Sequence, residues 1–288
     1  MLRAVLIMLV TVLLAVTAQA EKPVLTGPLL LGAHRGGAAL WPENTLYAFE
    51  QAVKQYPDVL LETDARLTAD GAVVLMHDKT VDRTTNGAGE VTALSLEALK
   101  ALDAGHDFTL DNGATFPHRG KGLKVATLEE LLAAHPTSRI LVELKGEPAL
   151  ADAAIRIIEN AKAGHRVLIA SFVAATMERA RALAPQIAYC FDMKTGMSLL
   201  MSLRGPGWEK YKPEADVLSV DQAMIPKYKL TPEDIARIQA KGIRFQVHTI
   251  NDPARMREFL LQKVDSILTD RPDVLAQAIA ETKSTPRP

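Results

Sequence analysis

Eight short apolar runs recur along the chain, each separated from the next by a longer amphipathic stretch, and this alternation constrains the fold more than any other feature. Strands spaced by helix-length segments cannot pair through tight turns, so they pair in parallel through crossover helices. The strand candidates are Leu29–Ala33, Val59–Thr63, Ile140–Leu144, Val167–Ala170, Ile187–Phe191, Val217–Val220, Ile243–His248 and Ser266–Thr269. The helix candidates are Thr45–Gln55, Leu128–Ala134, Ala149–Ala163, Ala174–Ala184, Pro232–Lys241, Pro253–Gln262 and Pro272–Ala280. Pro232, Pro253 and Pro272 stand near helix starts, behind Thr231, Asp252 and Arg271. Proline is tolerated in a first helical turn, and Thr and Asp are good N-caps. The expected class is α/β, a (β/α)8 TIM barrel, for which 288 residues with 48% apolar content are ample. Residues 192–215, with Gly196, Gly205, Pro206, Gly207 and Pro213, are expected to be mostly loop.

A ninth β run, Ala72–Met76, follows Asp70-Gly71, a strong hairpin turn signal. It is therefore expected outside the barrel, as the antiparallel return of an extended second strand. A two-residue Asp70-Gly71 loop sets Ala69 opposite Ala72 and Asp64 opposite His77, unless a bulge shifts the register. Residues 78–126 do not fit a βα unit and are expected to form a small inserted subdomain. The barrel domain spans 21–282, and 283–288 is expected to be a disordered tail.

The first twenty residues have one charge, Arg3, an apolar run from Ala4 to Ala18, and a small-x-small site at Ala18-Gln19-Ala20. That is the layout of a cleavable secretory signal peptide, with a retained anchor as the competing reading. Export implies a periplasmic or secreted protein with no stable membrane span after cleavage. The single Cys190 lies in an apolar run and is expected to be a buried structural thiol. A net charge of −1 leaves no global field to recruit nucleic acid or anionic membrane, so an anionic ligand must be met by a local site.

In such a barrel the reactive groups stand at the C-terminal strand ends. Glu62 and Asp64 are two apart and point to one side of an extended strand, and Glu143 can join them from the neighbouring strand. Three unpaired carboxylates in one mouth repel one another. A hard divalent cation, Ca²⁺ or Mg²⁺, resolves the conflict through oxygen ligation. Lys145 is a plausible partner for one of these acids, not for three. His34 and His77 flank the cluster and suit general acid–base work on a phosphodiester. An isolated histidine would read as structural; two beside a metal-ready acid cluster do not. Arg35 and Lys145 are candidates for the phosphate oxygens. Phe172 and His248, at other strand ends, are candidate substrate contacts. His106, His118, His135 and His165 are expected at the surface.

With these residues in view the sequence resembles the glycerophosphodiester phosphodiesterase family. The resemblance rests on His34-Arg35-Gly36, Pro42-Glu43-Asn44-Thr45, Glu62-Thr63-Asp64 and Leu67-Thr68-Ala69-Asp70-Gly71 through Val74-Leu75-Met76-His77-Asp78. It continues through Asp82-Arg83-Thr84-Thr85-Asn86-Gly87, Thr127-Leu128-Glu129-Glu130, Val142-Glu143-Leu144-Lys145 and Thr269-Asp270-Arg271-Pro272. It implies a barrel with an insertion after the second histidine, a metal held by Glu62, Asp64 and Glu143, and acid–base work by His34 and His77. It also implies a small-molecule substrate, with hydrolysis of glycerophosphodiesters to glycerol 3-phosphate and an alcohol. Glu43 is placed behind the metal ligands rather than among them. One departure is His248, in Val247-His248-Thr249-Ile250-Asn251, where the family usually carries Trp; it bears on substrate preference.

Two rival readings remain. One is a lysophospholipase D or sphingomyelinase-D-like enzyme, which needs an apolar acyl groove near the mouth, with Trp41, Phe172 and Phe108 as candidates. The other is a protein that binds phosphodiesters without turnover, which the loss of a histidine or a metal acid would signal. None is missing.

Overall fold

The computed structural model describes residues 22–27 and 30–284. The expected signal peptide therefore lies outside the described residues, as do Leu29 and residues 285–288. Eight parallel strands form the barrel: β1 (Leu30–Ala33), β2 (Leu60–Leu67), β4 (Arg139–Leu144), β5 (Val167–Ala170), β6 (Ala188–Tyr189), β7 (Val217–Asp221), β8 (Arg244–His248) and β9 (Ser266–Thr269). Their order is β6-β5-β4-β2-β1-β9-β8-β7, and a single parallel bridge, Cys190 to Val217, joins the two ends. The helices are α1 (Leu46–Gln55), α2 (Leu96–Ala101), α3 (Leu128–Ala134), α4 (Pro148–Asn160), α5 (Ala174–Leu183), α6 (Met193–Leu203), α7 (Met224–Lys227), α8 (Pro232–Gln239), α9 (Pro253–Leu261) and α10 (Pro272–Ser284). Among the described residues no helix is long and apolar enough to cross a membrane.

The remaining strand, β3 (Val73–Leu75), pairs antiparallel with β2 and lies off the barrel, as the hairpin signal required. The register differs from the two-residue loop by one position. Ala65 faces Leu75 and Leu67 faces Val73, and Thr68 N–H bonds Ala72 O across a loop of Ala69, Asp70 and Gly71. Gly71 has φ +84°, the left-handed residue that turns a type I bend into a three-residue hairpin. Asp64 consequently stands beside Met76, whose N–H bonds its carbonyl, and His77 is one residue beyond.

Period two along the strands separates the layers. In β2, Leu61 and Ala65 face the helices, while Leu60 joins Leu141, Leu168 and Leu268 inside the barrel. Val24 and Leu25 plug that interior from below. Thr231 and Asp252 cap α8 and α9 as expected. The stretch expected to be loop after β6 is instead α6, started by a reciprocal Asp192–Thr195 capping box. The last helix includes Lys283 and Ser284, so the expected tail begins inside it. Residues 78–126 contribute no barrel strand; they hold α2 and a small cluster of their own, with Val81, Val91 and Leu99 packed on Val74 and Met76.

The barrel is tight where β1 meets β9. A Cβ on Gly32 would lie 2.3 Å from Leu268 Cδ2 and 3.0 Å from the Ile267 carbonyl. Gly32→Ala should therefore lower stability by about 1–3 kcal/mol through overpacking, read as a lower midpoint in denaturant unfolding.

Candidate active site

At the end of β1 the backbone makes a turn that few sequences allow. Arg35, Gly36 and Gly37 have φ of +51°, +84° and +101° in succession. A Cβ on Gly36 or Gly37 would also come within 2.9 Å of Ala48 or Trp41. The turn aims the Arg35 N–H at Glu62, where it donates to Oε2 over 2.8 Å. It sets His34 over the barrel with Nδ1 2.6 Å from Asp270 Oδ1 and Nε2 3.9 Å from Glu62 Oε2. A carboxylate accepts at Nδ1, so that nitrogen carries the proton and Nε2 faces the acids. Burial lowers the His34 pKa, but the Glu62 charge and the Asp270 hydrogen bond outweigh it and hold the imidazole above its ordinary value.

The acids converge because β2 and β4 run in register, with Asp64 directly beside Glu143. Among the described residues Glu62, Asp64 and Glu143 offer oxygens within 4.8 Å of one another. Glu62 and Asp64 are buried. Burial, and then the Asp64 charge, push Glu62 well above the carboxylate range. Burial acts on Asp64 in the same direction, but Lys145, Arg35 and Asn44 reverse it and hold Asp64 low. Lys145 Nζ lies 2.9 Å from Glu143 and 3.2 Å from Asp64, so it meets two of the three acids rather than the one expected. Asp64 Oδ1 is buried, and the Lys145 ammonium 3.2 Å away pairs with it by charge without completing a hydrogen bond. Three converging carboxylates served by one ammonium, with a buried oxygen short of a full hydrogen bond, are a donor set that fits a hard divalent cation.

Asn44 frames the cluster. Its Nδ2 donates to Asp64 Oδ2 at 2.9 Å, and its Oδ1 accepts from Thr63 Oγ1 at 2.7 Å and from the Asp64 N–H at 3.3 Å. Its φ of +56° is a left-handed value that Asn tolerates. Beside it Glu43 stands outside the converging triad. It accepts from Arg35 at 3.2 Å and takes Arg83 in a two-pronged pair at 2.7 and 2.8 Å. Arg83 Nε also donates to Asp78 Oδ2 at 2.6 Å, and Asp78 Oδ1 lies 2.7 Å from His77 Nδ1. Both histidines thus direct Nδ1 at a carboxylate and leave Nε2 free for chemistry. Arg66 fixes the same corner by donating to the carbonyls of His77 and Lys145. Arg35 and Lys145, the expected phosphate ligands, both lie against the acids, with Arg35 Nε 3.4 Å from Asp64.

A cavity of about 310 Å³ opens beside the cluster, with His34, Glu62, Glu143, Phe172 and His248 in its lining. His248 Nδ1 is 2.9 Å from Ser219 Oγ, and burial brings its pKa down to about 4, so it is a neutral imidazole. Trp41 and Phe108 do not line this cavity: Trp41 is buried against Gly37, and Phe108 packs on His118. Cys190 is buried, as expected of a structural thiol. His135, expected at the surface, is buried where α3 ends, and its carbonyl accepts from Arg166.

The residues that the sequence left without a role are Asp270, Asp78, Arg83 and Asn44. Asp78 and Asp270 were visible as acids next to mouth positions, and Arg83 and Asn44 as members of conspicuous local motifs. What linear order hides is the pairing: Asp270 meets His34 across 236 positions.

Residues 34–274 match the Glycerophosphoryl diester phosphodiesterase family. A glycerophosphodiester phosphodiesterase of Caldanaerobacter subterraneus is 31% identical over 257 residues, covering 87% of this chain and 97% of that protein. A crystal structure of glycerophosphodiester phosphodiesterase from Agrobacterium tumefaciens superposes with a TM-score of 0.69 at 27% identity, covering 87% of this chain and all (100%) of that one. An Oleispira antarctica phosphodiesterase, solved in complex with the product sn-glycerol-3-phosphate, gives a TM-score of 0.70 at 25% identity, with 88% and 97% covered.

Replacing Asn44 by Ala would strand the Thr63 hydroxyl, leave Asp64 Oδ2 with the longer Arg35 contact in place of its hydrogen bond, and force Ala into a left-handed conformation. Each buried group left unpaired costs about 1–3 kcal/mol, so Asn44→Ala should unfold at markedly lower denaturant than the parent protein. An unchanged midpoint would show that the frame around Asp64 is held by something else.

Proposed function

The chain belongs to the glycerophosphoryl diester phosphodiesterase family, and from that premise we propose that it hydrolyses glycerophosphodiesters to glycerol 3-phosphate and an alcohol through a cation-dependent, two-histidine mechanism. One observation carries the reading: three carboxylates within 4.8 Å of one another stand beside an imidazole on either hand, each backed at Nδ1 by a carboxylate. Glu62, Asp64 and Glu143 are the residues that would hold a divalent ion of the Ca²⁺ or Mg²⁺ class. When bound, such an ion supplies positive charge and polarises a phosphoryl oxygen. Arg35 and Lys145 hold the phosphate beside the acids through charge-assisted hydrogen bonds. His34 and His77 divide the proton work, one taking a proton from water and the other giving one to the departing alcohol oxygen. Asp270 and Asp78 keep each Nδ1 protonated and each Nε2 directed at the phosphate. Arg83 holds Asp78 in place and ties it to Glu43, which in turn orients Arg35. His248 and Phe172 contact the substrate from the cavity. With the leader read at residues 1–20, the proposed place of action is the periplasm or the exterior.

Glycerophosphocholine hydrolysis should stop on exhaustive chelation and return on adding Mg²⁺ or Ca²⁺. The same ions should raise the melting temperature of the parent protein by native-state linkage and leave Glu62→Gln or Asp64→Asn unmoved. Full activity after chelation would overturn the role of the acids.

Either His34→Ala or His77→Ala should lower kcat by about 10²–10⁴-fold, and the double variant should be little worse than the poorer single. A substrate with a much better leaving alcohol should rescue only the variant lacking the general acid. Rescue of both alike, or near-normal turnover by either, would end the two-histidine scheme.

A further inference from the structure

Pairing of β7 with β8 and of β8 with β9 sets Gln246 between Ser219 on one side and Ser266 on the other. Period two turns His248 to the same interior as Gln246. Ser219, Gln246 and His248 all line the cavity that His34, Glu62 and Glu143 border. One hydrogen-bond relay joins them. Gln246 Nε2 donates to Ser266 Oγ at 3.0 Å, which leaves its Oε1 as the acceptor facing Ser219. Ser219 gives its one hydroxyl hydrogen to that Oε1 at 2.8 Å. At 2.9 Å from His248 Nδ1, the same hydroxyl oxygen can only accept. Gln246 and Ser266 are 1% and 3% exposed, so water does not loosen the far end of the relay.

The relay decides the tautomer of the imidazole. Nδ1 carries the proton, because it has to donate to Ser219. Nε2 then presents a lone pair, and it is the one nitrogen or oxygen of the relay with no protein partner among the described residues. The ring is neutral, since burial outweighs the opposing charge of Asp221. Asp221, the register partner of His248, has Oδ1 engaged by the Ala223 N–H. A neutral imidazole with Nδ1 occupied takes a hydrogen from a ligand and gives none. A phosphate oxygen or an ester carbonyl at Nε2 would set lone pair against lone pair, whereas a hydroxyl fits. In a diester such as glycerophosphocholine the choline oxygen is esterified and carries no hydrogen, while the glycerol keeps two free hydroxyls. The group that such an acceptor can select is therefore on the glycerol.

We propose that His248 determines specificity at the phosphodiesterase site on which this inference rests: its Nε2 accepts a hydrogen bond from a glycerol hydroxyl and selects diesters that carry one. Ser219, Gln246 and Ser266 are positioning residues, which act by keeping the proton on Nδ1. Recognition and chemistry are thereby divided between strands. The relay lies on β7, β8 and β9, and the acids Glu62, Asp64 and Glu143 lie on β2 and β4.

The test follows choline release from glycerophosphocholine and from n-propyl phosphocholine, a choline phosphodiester without the glycerol hydroxyls. The parent protein should favour glycerophosphocholine in kcat/KM by about tenfold or more, the factor expected of one hydrogen bond to a partly desolvated acceptor. His248→Phe should lose more on glycerophosphocholine than on the propyl diester, chiefly through KM, and so remove most of the preference. Ser219→Ala should weaken the preference with the ring still in place. In parent protein carrying isotope-labelled histidine, the imidazole nitrogen resonances that vanish in His248→Phe should be those of an Nδ1–H tautomer. Ser219→Ala should shift them toward the Nε2–H form, which a role in folding alone would not do. No preference in the parent, equal losses on both diesters, or an Nε2–H tautomer in the parent overturns this inference and leaves the phosphodiesterase reading standing. Release from neither diester with Mg²⁺ or Ca²⁺ present overturns that reading and this inference together.

Discussion

The register of β2 against β4 is the constraint on which the rest of the site depends. It sets Asp64 beside Glu143 and, through period two, turns Glu62 to the same interior. Three carboxylates so placed cannot all be ionised in a low-dielectric barrel without countercharge. The surrounding residues answer that conflict one acid at a time. Lys145 and Arg35 supply charge to Asp64, Asn44 supplies a hydrogen bond, and Glu62 receives the N–H of a strained Arg35. The left-handed backbone at residues 35–37 has its physical reason here: it points an N–H donor at a buried carboxylate from 2.8 Å, closer than the His34 imidazole at 3.9 Å.

The same conflict fixes the histidines. His34 is drawn toward its protonated form by Glu62 and Asp270, and the Asp270 contact also fixes which nitrogen carries the proton. Asp270 is itself held by Asn251, whose Nδ2 donates to it at 2.7 Å, so the orientation of His34 is set two residues deep. On the other side Asp78 does the same for His77, with Arg83 as the outer member. The Arg83–Glu43 pair then closes a path from His77 to Arg35 and so to Asp64. Arg83 is half exposed, so its value lies less in net ion-pair energy than in geometry. It presents three N–H groups to two carboxylates, which fixes the start of the 78–126 segment against the barrel mouth.

What was legible in the sequence follows from short-range rules. The pair Glu62 and Asp64 share a face in any strand, the Asp-Gly turn returns β3, and Thr231 and Asp252 announce their helices. What was not legible depends on subtler or longer-range facts. The hairpin register turned on whether Gly71 sits within a two- or a three-residue loop, which the dipeptide alone does not decide. Helix α6 was hidden by Gly196 and by the scarcity of charged residues that usually mark a solvent face; its apolar outer face is what the cavity uses. The carboxylate behind His34 was out of reach because barrel closure, not local pattern, brings β9 beside β1. Trp41 failed as a groove residue for a local reason, since the positive-φ turn at Gly37 makes room for its ring in the core.

Chemistry and cavity are built on different parts of the same barrel, and their stiffness differs accordingly. The acids and His34 come from β1, β2 and β4, where the pairing is continuous: β2 and β4 share six registered positions. The apolar wall follows β5, β6 and β7, where β6 is two residues long and meets β7 through one bridge. Local stability tracks such backbone pairing. Side chains do part of the closing there. Asp216 accepts from the Tyr189 N–H at 2.8 Å and from Lys22 at 2.9 Å, and Arg181 holds Asp192 and the Cys190 carbonyl at the start of α6. Reacting groups require fixed geometry, because a proton transfer is lost over a fraction of an ångström, whereas a methionine-lined wall tolerates displacement. The weakest seam of the barrel thus lies under the cavity wall, away from the acid cluster, and the six-position β2–β4 register holds the acids apart from it.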